Sequence, residues 1–81
     1  MKVEIQFFSY FKDLTGCESI VEDVPTGTPV LGLLQRLGKR FPRLAEAHRS
    51  TLVAVGLEYQ NREYVLKEGD EVSLFPPVQG G

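Results

Sequence analysis

The sequence has no tryptophan, one histidine, one methionine and one cysteine, and each scarcity closes off a class of chemistry. A lone Cys17 forms no internal disulfide and cannot by itself hold a zinc or an iron–sulfur site. With no His or Lys beside it in sequence to stabilise a thiolate, it reads as an inert small residue. His48 lies in a polar connection without a Cys/His ligand set around it and reads as a solvated loop residue. No apolar run approaches the ~20 residues of a membrane span. Met1-Lys2-Val3-Glu4 is not followed by the long apolar segment of a secretory signal. A cytoplasmic location without membrane attachment is therefore expected. Excess positive charge is missing too: the net charge is −2, which disfavours a nucleic-acid partner. There is no glycine-rich nucleotide loop, and although Asp and Glu are plentiful none stands in a spacing that signals a catalytic pair or a metal cage, so no cofactor is expected to bind stably.

What is present is an ordinary globular composition, 42% hydrophobic and 25% charged, in a chain of 81 residues. That length supports one small core and little room for a substrate cleft. The expectation is a single domain over 1–81. Its charge is uneven. Arg36, Lys39, Arg40, Arg43 and Arg49 face only Glu46 between positions 36 and 49, so the rest of the chain is acidic. Lys39 and Arg40 fall where a helix would end and complement its dipole. An acidic partner surface is the other reading of the segment.

Residues 2–8 alternate, with Val3, Ile5 and Phe7 on one face and Lys2, Glu4, Gln6 and Phe8 on the other, the period of a half-buried strand. Tyr10 to Gly16 reads as a short turn with Phe11 and Leu14 at helical spacing. Glu18 to Val24 is a second strand, stopped by Pro25-Thr26-Gly27, and the two make a hairpin. Thr28 is placed to cap a helix with Pro29 at its first position. Val30, Leu33, Leu34, Leu37 and Phe41 then form one apolar stripe, ended by Pro42. Gly32 and Gly38 suggest close packing of this helix against a sheet. Residues 43–50 read as a polar connection, 52–59 as a third strand and 62–65 as a short fourth. Residues 66–70 read as a turn, and Glu71 to Phe75 as the last strand, ended by Pro76-Pro77. The order β-β-α-β-β-β predicts an α+β fold of the ubiquitin-like β-grasp type, a mixed sheet on one main helix, with the first and last strands parallel at its centre. A β-grasp ferredoxin is excluded, because a [2Fe–2S] centre takes four ligands.

The informative stretch is Phe75-Pro76-Pro77-Val78-Gln79-Gly80-Gly81. Extended, the six residues after Phe75 reach roughly 20 Å at about 3.3 Å each. Pro76 and Pro77 stiffen the base. Gly80 and Gly81 carry no side chain, so such a tip passes a narrow channel and adopts almost any backbone conformation. The alternative is an ordinary frayed terminus. Strand alternation also puts Phe8 and Phe75 on an outward face beside each other if their strands are neighbours, with Tyr59 nearby. Exposed aromatics of this kind mark a partner surface, unless they pack on one another or under a loop.

"GDEVSLFPPVQGG" at Gly69–Gly81 resembles the MoaD/ThiS family of sulfur carriers, on its MoaD side, the small subunits of molybdopterin synthase. "FFSYFKDLTG" at Phe7–Gly16, "VPTGTPVLGLLQRLGKRFP" at Val24–Pro42 and "LVAVGLEY" at Leu52–Tyr59 are similar to the family's first strand, helix and third strand. Gly56 departs from the Asn usual there. The resemblance implies that Gly81 is adenylated by an ATP-using, MoeB-like enzyme and converted to a thiocarboxylate. It then delivers sulfur to a cyclic pterin precursor in a large, MoaE-like subunit, in molybdenum cofactor biosynthesis, the synthase being a heterotetramer. Pro76, Pro77, Val78, Gln79 and Gly80 would thread the partner sites, and Phe8, Tyr59 and Phe75 would dock. The chain itself then lacks catalytic machinery and is one subunit of a sulfurtransferase complex. A carrier for thiamine or tRNA thiolation, and a ubiquitin-like modifier conjugated through Gly81, are the rival implications.

Overall fold

A computed structural model describes residues 1–47 and 50–77 of the chain. The alternating N-terminal segment forms β1 (Lys2–Phe7), with Val3, Ile5 and Phe7 buried. A single helical turn, α1 (Phe11–Thr15), follows and ends at Gly16, whose φ of 76° lies in the left-handed region. The chain returns antiparallel to β1 as β2 (Ser19–Asp23). It then enters α2 (Val30–Arg40), whose stripe of Val30, Leu33, Leu34 and Leu37 is buried. The remaining elements are α3 (Pro42–Ala45), β3 (Leu52–Val55), β4 (Glu58–Tyr59) and β5 (Glu71–Phe75). The sheet order is β2-β1-β5-β3-β4, with β1 and β5 parallel and the other pairs antiparallel. This is the expected β-grasp arrangement, the first and last strands side by side in the middle. Val3, Ile5, Phe7, Val53, Val72 and Leu74 of the inner sheet face share one core with the α2 stripe.

Several local expectations are corrected. The start of α2 lies one residue later than its composition suggests: Pro29 is the N-cap, and the Thr28 hydroxyl donates instead to the Pro25 carbonyl at 2.6 Å. No side-chain cap is needed, because the Val30 and Leu31 N–H groups donate to the Tyr64 and Arg62 carbonyls at 2.8 and 3.0 Å. That use of the 62–65 backbone explains why it is not a strand; only Val65 bridges to Pro29. Residues 52–59 split into β3 and β4 around Gly56, at φ 62°. Leu66, read as part of a turn, is buried, and its N–H donates to the Thr28 carbonyl at 2.9 Å. The connection after Pro42 contains α3, with Pro42 in its first turn and Leu44 in the core. The two helix glycines do not face the sheet. A Cβ on Gly38 would meet the Ala45 Cβ of α3 at 3.2 Å, and one on Gly32 the Thr28 Cγ2 at 3.0 Å.

The basic segment is partly consumed inside the fold. Arg40 donates to Glu22 of β2 at 2.7 Å, and Arg36 lies 3.8 Å from the same carboxylate while donating to the Asp23 carbonyl. Lys39 and Arg43 enter no ion pair among the described residues. His48 and Arg49 lie outside the described residues. Among those described, no helix is long and apolar enough to cross a membrane.

Candidate functional site

The parallel register of β1 and β5 sets Gln6 opposite Ser73 and Phe7 opposite Leu74. Since Phe7 and Leu74 point into the core, the next residues of both strands, Phe8 and Phe75, point to the outer face. The Phe8 N–H donates to the Leu74 carbonyl at 3.1 Å, which carries the ladder one step beyond β1 and holds the two residues abreast. Their rings stack, with centroids 4.6 Å apart and planes 15° from parallel. Each ring covers one face of the other, so both are half-buried: they pack on one another, the alternative to an open pair.

Tyr59 joins the pair from the edge strand β4. The β3–β4 hairpin places it opposite Ala54, and its ring centroid lies 6.4 Å from that of Phe75 at 64°. It is the most open of the three, 71% exposed. The three aromatics named from the sequence are thus brought together on one face, at the end of β5 from which Pro76 and Pro77 continue. Both prolines are half-buried. Val78, Gln79, Gly80 and Gly81, the rest of the expected threading segment, lie outside the described residues.

Sequence reasoning missed Leu52 and Leu57. Leu52 stands opposite Phe75 in the β3–β5 register and extends the aromatic row. Leu57, at the β3–β4 turn, is fully exposed. Alternation over 52–55, with Val53 and Val55 inward, was the signal available for Leu52. Cys17 takes no part in the cluster. It is half-buried just after α1, packed against the core, and among the described residues its thiol and N–H hydrogen-bond to Thr15. Among the described residues no group of three or more His, Cys, Asp or Glu is arranged to hold a metal ion.

The site is thus an apolar platform at the end of a central strand, made by Phe8, Phe75, Tyr59 and Leu52. Exposed aromatics in such a row suit the docking of a partner. Comparison with known proteins finds relatives over the full length of the chain. The ThiS family matches residues 5–81. The human molybdopterin synthase sulfur carrier subunit is 32% identical over 83 residues, covering 99% of this chain and 94% of that one. The crystal structure of SAMP1 from Haloferax volcanii superposes with a TM-score of 0.87 at 25% identity, covering 100% of both chains. A complex of subunits 1 and 2 of molybdopterin-converting factor from Helicobacter pylori contains a chain with a TM-score of 0.69 at 27% identity, also covering 100% of both. The chain belongs to the ThiS family.

Proposed function

We propose that this chain is the sulfur carrier subunit of a molybdopterin synthase, and that Gly81 is the carried group. The observation that carries the reading is the platform of Phe8, Phe75 and Tyr59 at the base of a Pro-Pro segment, in a family match that runs through Gly80-Gly81 itself. A free C-terminal carboxylate is an anion at neutral pH, with a pKa near 3.5, and resists nucleophilic attack. Activation by ATP in an adenylating partner converts it to an acyl-adenylate with loss of pyrophosphate. Attack by a sulfur donor expels AMP and leaves a thiocarboxylate, a soft nucleophile. The chain's own residues supply docking and reach: the aromatics seat the domain, Pro76 and Pro77 direct the tail, and side-chain-free glycines enter the partner site. The second docking partner is the large synthase subunit, where sulfur passes to a cyclic pterin precursor, in a heterotetramer of two carriers and two large subunits.

Intact-mass measurement tests the reading. Incubation with the adenylating enzyme, ATP and a sulfur donor should replace one oxygen of the chain by sulfur. The product should then form molybdopterin with the large subunit. A chain that stays unmodified, or a thiocarboxylate that the large subunit does not consume, overturns it.

The likeness to SAMP1, a small archaeal modifier protein, favours a second reading in which the same activated Gly81 is conjugated to lysine amines of other proteins. Isopeptide-linked Gly81 in digests from the native cell would establish it.

A further inference from the structure

The outer sheet face carries a second feature beside the aromatics. Glu4 of β1 and Glu71 of β5 stand directly opposite each other in the parallel register. Like charges in such a pair are destabilising. Neither carboxylate has a Lys or Arg partner among the described residues. What holds them is the Gln6 side-chain amide, which donates to Glu4 Oε1 at 3.1 Å and to Glu71 Oε1 at 3.3 Å. One step toward the tail lies Ser73, opposite Gln6, only 9% exposed on this same face. Its hydroxyl has no hydrogen-bond partner among the described residues. A covered hydroxyl without a partner is costly in an isolated fold and is satisfied when a second molecule supplies one. The next step along the strands is the Phe8–Phe75 stack, so a carboxylate pair, an unpaired hydroxyl and an apolar platform follow one another along β5.

We propose that the large synthase subunit docks across this whole face and presents a basic side chain, a guanidinium or an ammonium, between Glu4 and Glu71. The proposal rests on the carrier reading above and names the chemistry of the partner surface. Charge complementarity decides the occupant. Two carboxylates held together by one amide leave lone pairs for a bidentate guanidinium, and an incoming cation removes their mutual repulsion. The acidic pair fixes the orientation of the domain on its partner, and the aromatics supply apolar burial near the point where the tail enters. The exposed carboxylates also attract a basic surface before contact, an effect that salt screens over about 8 Å at physiological ionic strength.

The experiment is calorimetric titration of the full chain against the purified large subunit at low and high salt, for the native chain and for Glu4→Gln/Glu71→Gln. Both residues are exposed, so the variant should fold; its thermal midpoint should be unchanged or raised because a like-charge pair is gone. Affinity should fall by roughly tenfold to a hundredfold at low salt, with a shallower salt dependence than native. A single Glu71→Lys, which pairs with Glu4 internally and repels the partner's cation, should lose at least as much. Native binding with unchanged affinity and salt dependence in the variants overturns this inference and leaves the carrier reading standing. Absence of binding by the native chain overturns both.

Discussion

Arg40, in the last turn of α2, donates a 2.7 Å hydrogen bond to Glu22 of β2, and Arg36, one turn earlier, approaches the same carboxylate at 3.8 Å. Glu22 is on the helix-facing side of an edge strand, where its side chain is only 14% exposed. The two guanidiniums lie over it and tie the helix to the edge of the sheet. Arg40 also sits 5.4 Å from the centre of the Phe41 ring. Cations at the end of a helix therefore have a specific partner here beyond the dipole.

Replacing Glu22 by Ala should lower stability by about 1 kcal/mol, because both arginines are half in water and their attraction is screened. Urea unfolding at low and high salt checks this. The loss should shrink at high salt, and a salt-independent loss would mean that packing, not charge, is what Glu22 supplies.

The contact between Gly38 and Ala45 sets a limit on the α2–α3 corner. An Ala at 38 gains helix preference of about 1 kcal/mol over Gly, but its Cβ would stand 3.2 Å from the Ala45 Cβ. Ala45 is exposed at the end of a four-residue helix and yields by a few tenths of an ångström, so Gly38→Ala should be close to neutral. Gly38→Val carries two further carbons into the same space and should cost about 1–3 kcal/mol. Ala45→Gly should recover part of that loss, and a double-mutant cycle by thermal unfolding measures the coupling.

The corrected elements share a cause. The stripe of Val30, Leu33, Leu34 and Leu37 and the alternation of Val3, Ile5 and Phe7 were legible because each spans enough residues for a period to show. One Leu in four residues has no period, so α3 was hidden in a polar stretch. The β3–β4 turn was hidden because Gly56-Leu57 interrupts an apolar run without Pro, Asn or Asp to mark it. Residues 62–65 read as a short strand, yet the Arg62 and Tyr64 carbonyls satisfy the first N–H groups of α2, a long-range backbone use that no local pattern encodes. Phe8 and Phe75 were legible as neighbours once β1 and β5 were set side by side. Their stacking, and with it their loss of exposure, depends on ring geometry that spacing does not give.

That stacking changes what substitutions at the platform should do. Phe75→Ala removes a packed ring and a stacking contact, so it should lower stability by about 1 kcal/mol or somewhat more, as well as weakening partner binding. Tyr59 is mostly in water and touches Phe75 at an angle, so Tyr59→Ala should leave the unfolding midpoint nearly unchanged. If the platform docks the large subunit, Tyr59→Ala should nevertheless weaken binding by roughly tenfold or more, the loss expected at an interface anchor. Calorimetric titration beside thermal unfolding separates the two quantities. Unchanged affinity for Tyr59→Ala would confine docking to the stacked pair or remove it from this face.

Gly81→Ala separates steric from chemical demands at the reacting end. The substitution keeps a C-terminal carboxylate of nearly the same pKa, so its intrinsic reactivity toward ATP is preserved. It places a methyl group beside the reacting carbon and makes positive φ unfavourable. Among the described residues the last member of the buried core is Leu74, so thermal unfolding should match the native chain. If the tip passes a narrow channel in two partner sites, that methyl obstructs each by an amount set by the local fit. A displacement of about 1 Å costs on the order of a hundredfold in rate. Adenylation and sulfur delivery should therefore both slow, by different factors, when measured separately. Gly80→Ala should be slowed as well, since the channel must pass both residues. Native rates in both steps for both variants would show that the Gly-Gly end has no steric role, and the carrier reading would then lose its reason for a tip without side chains.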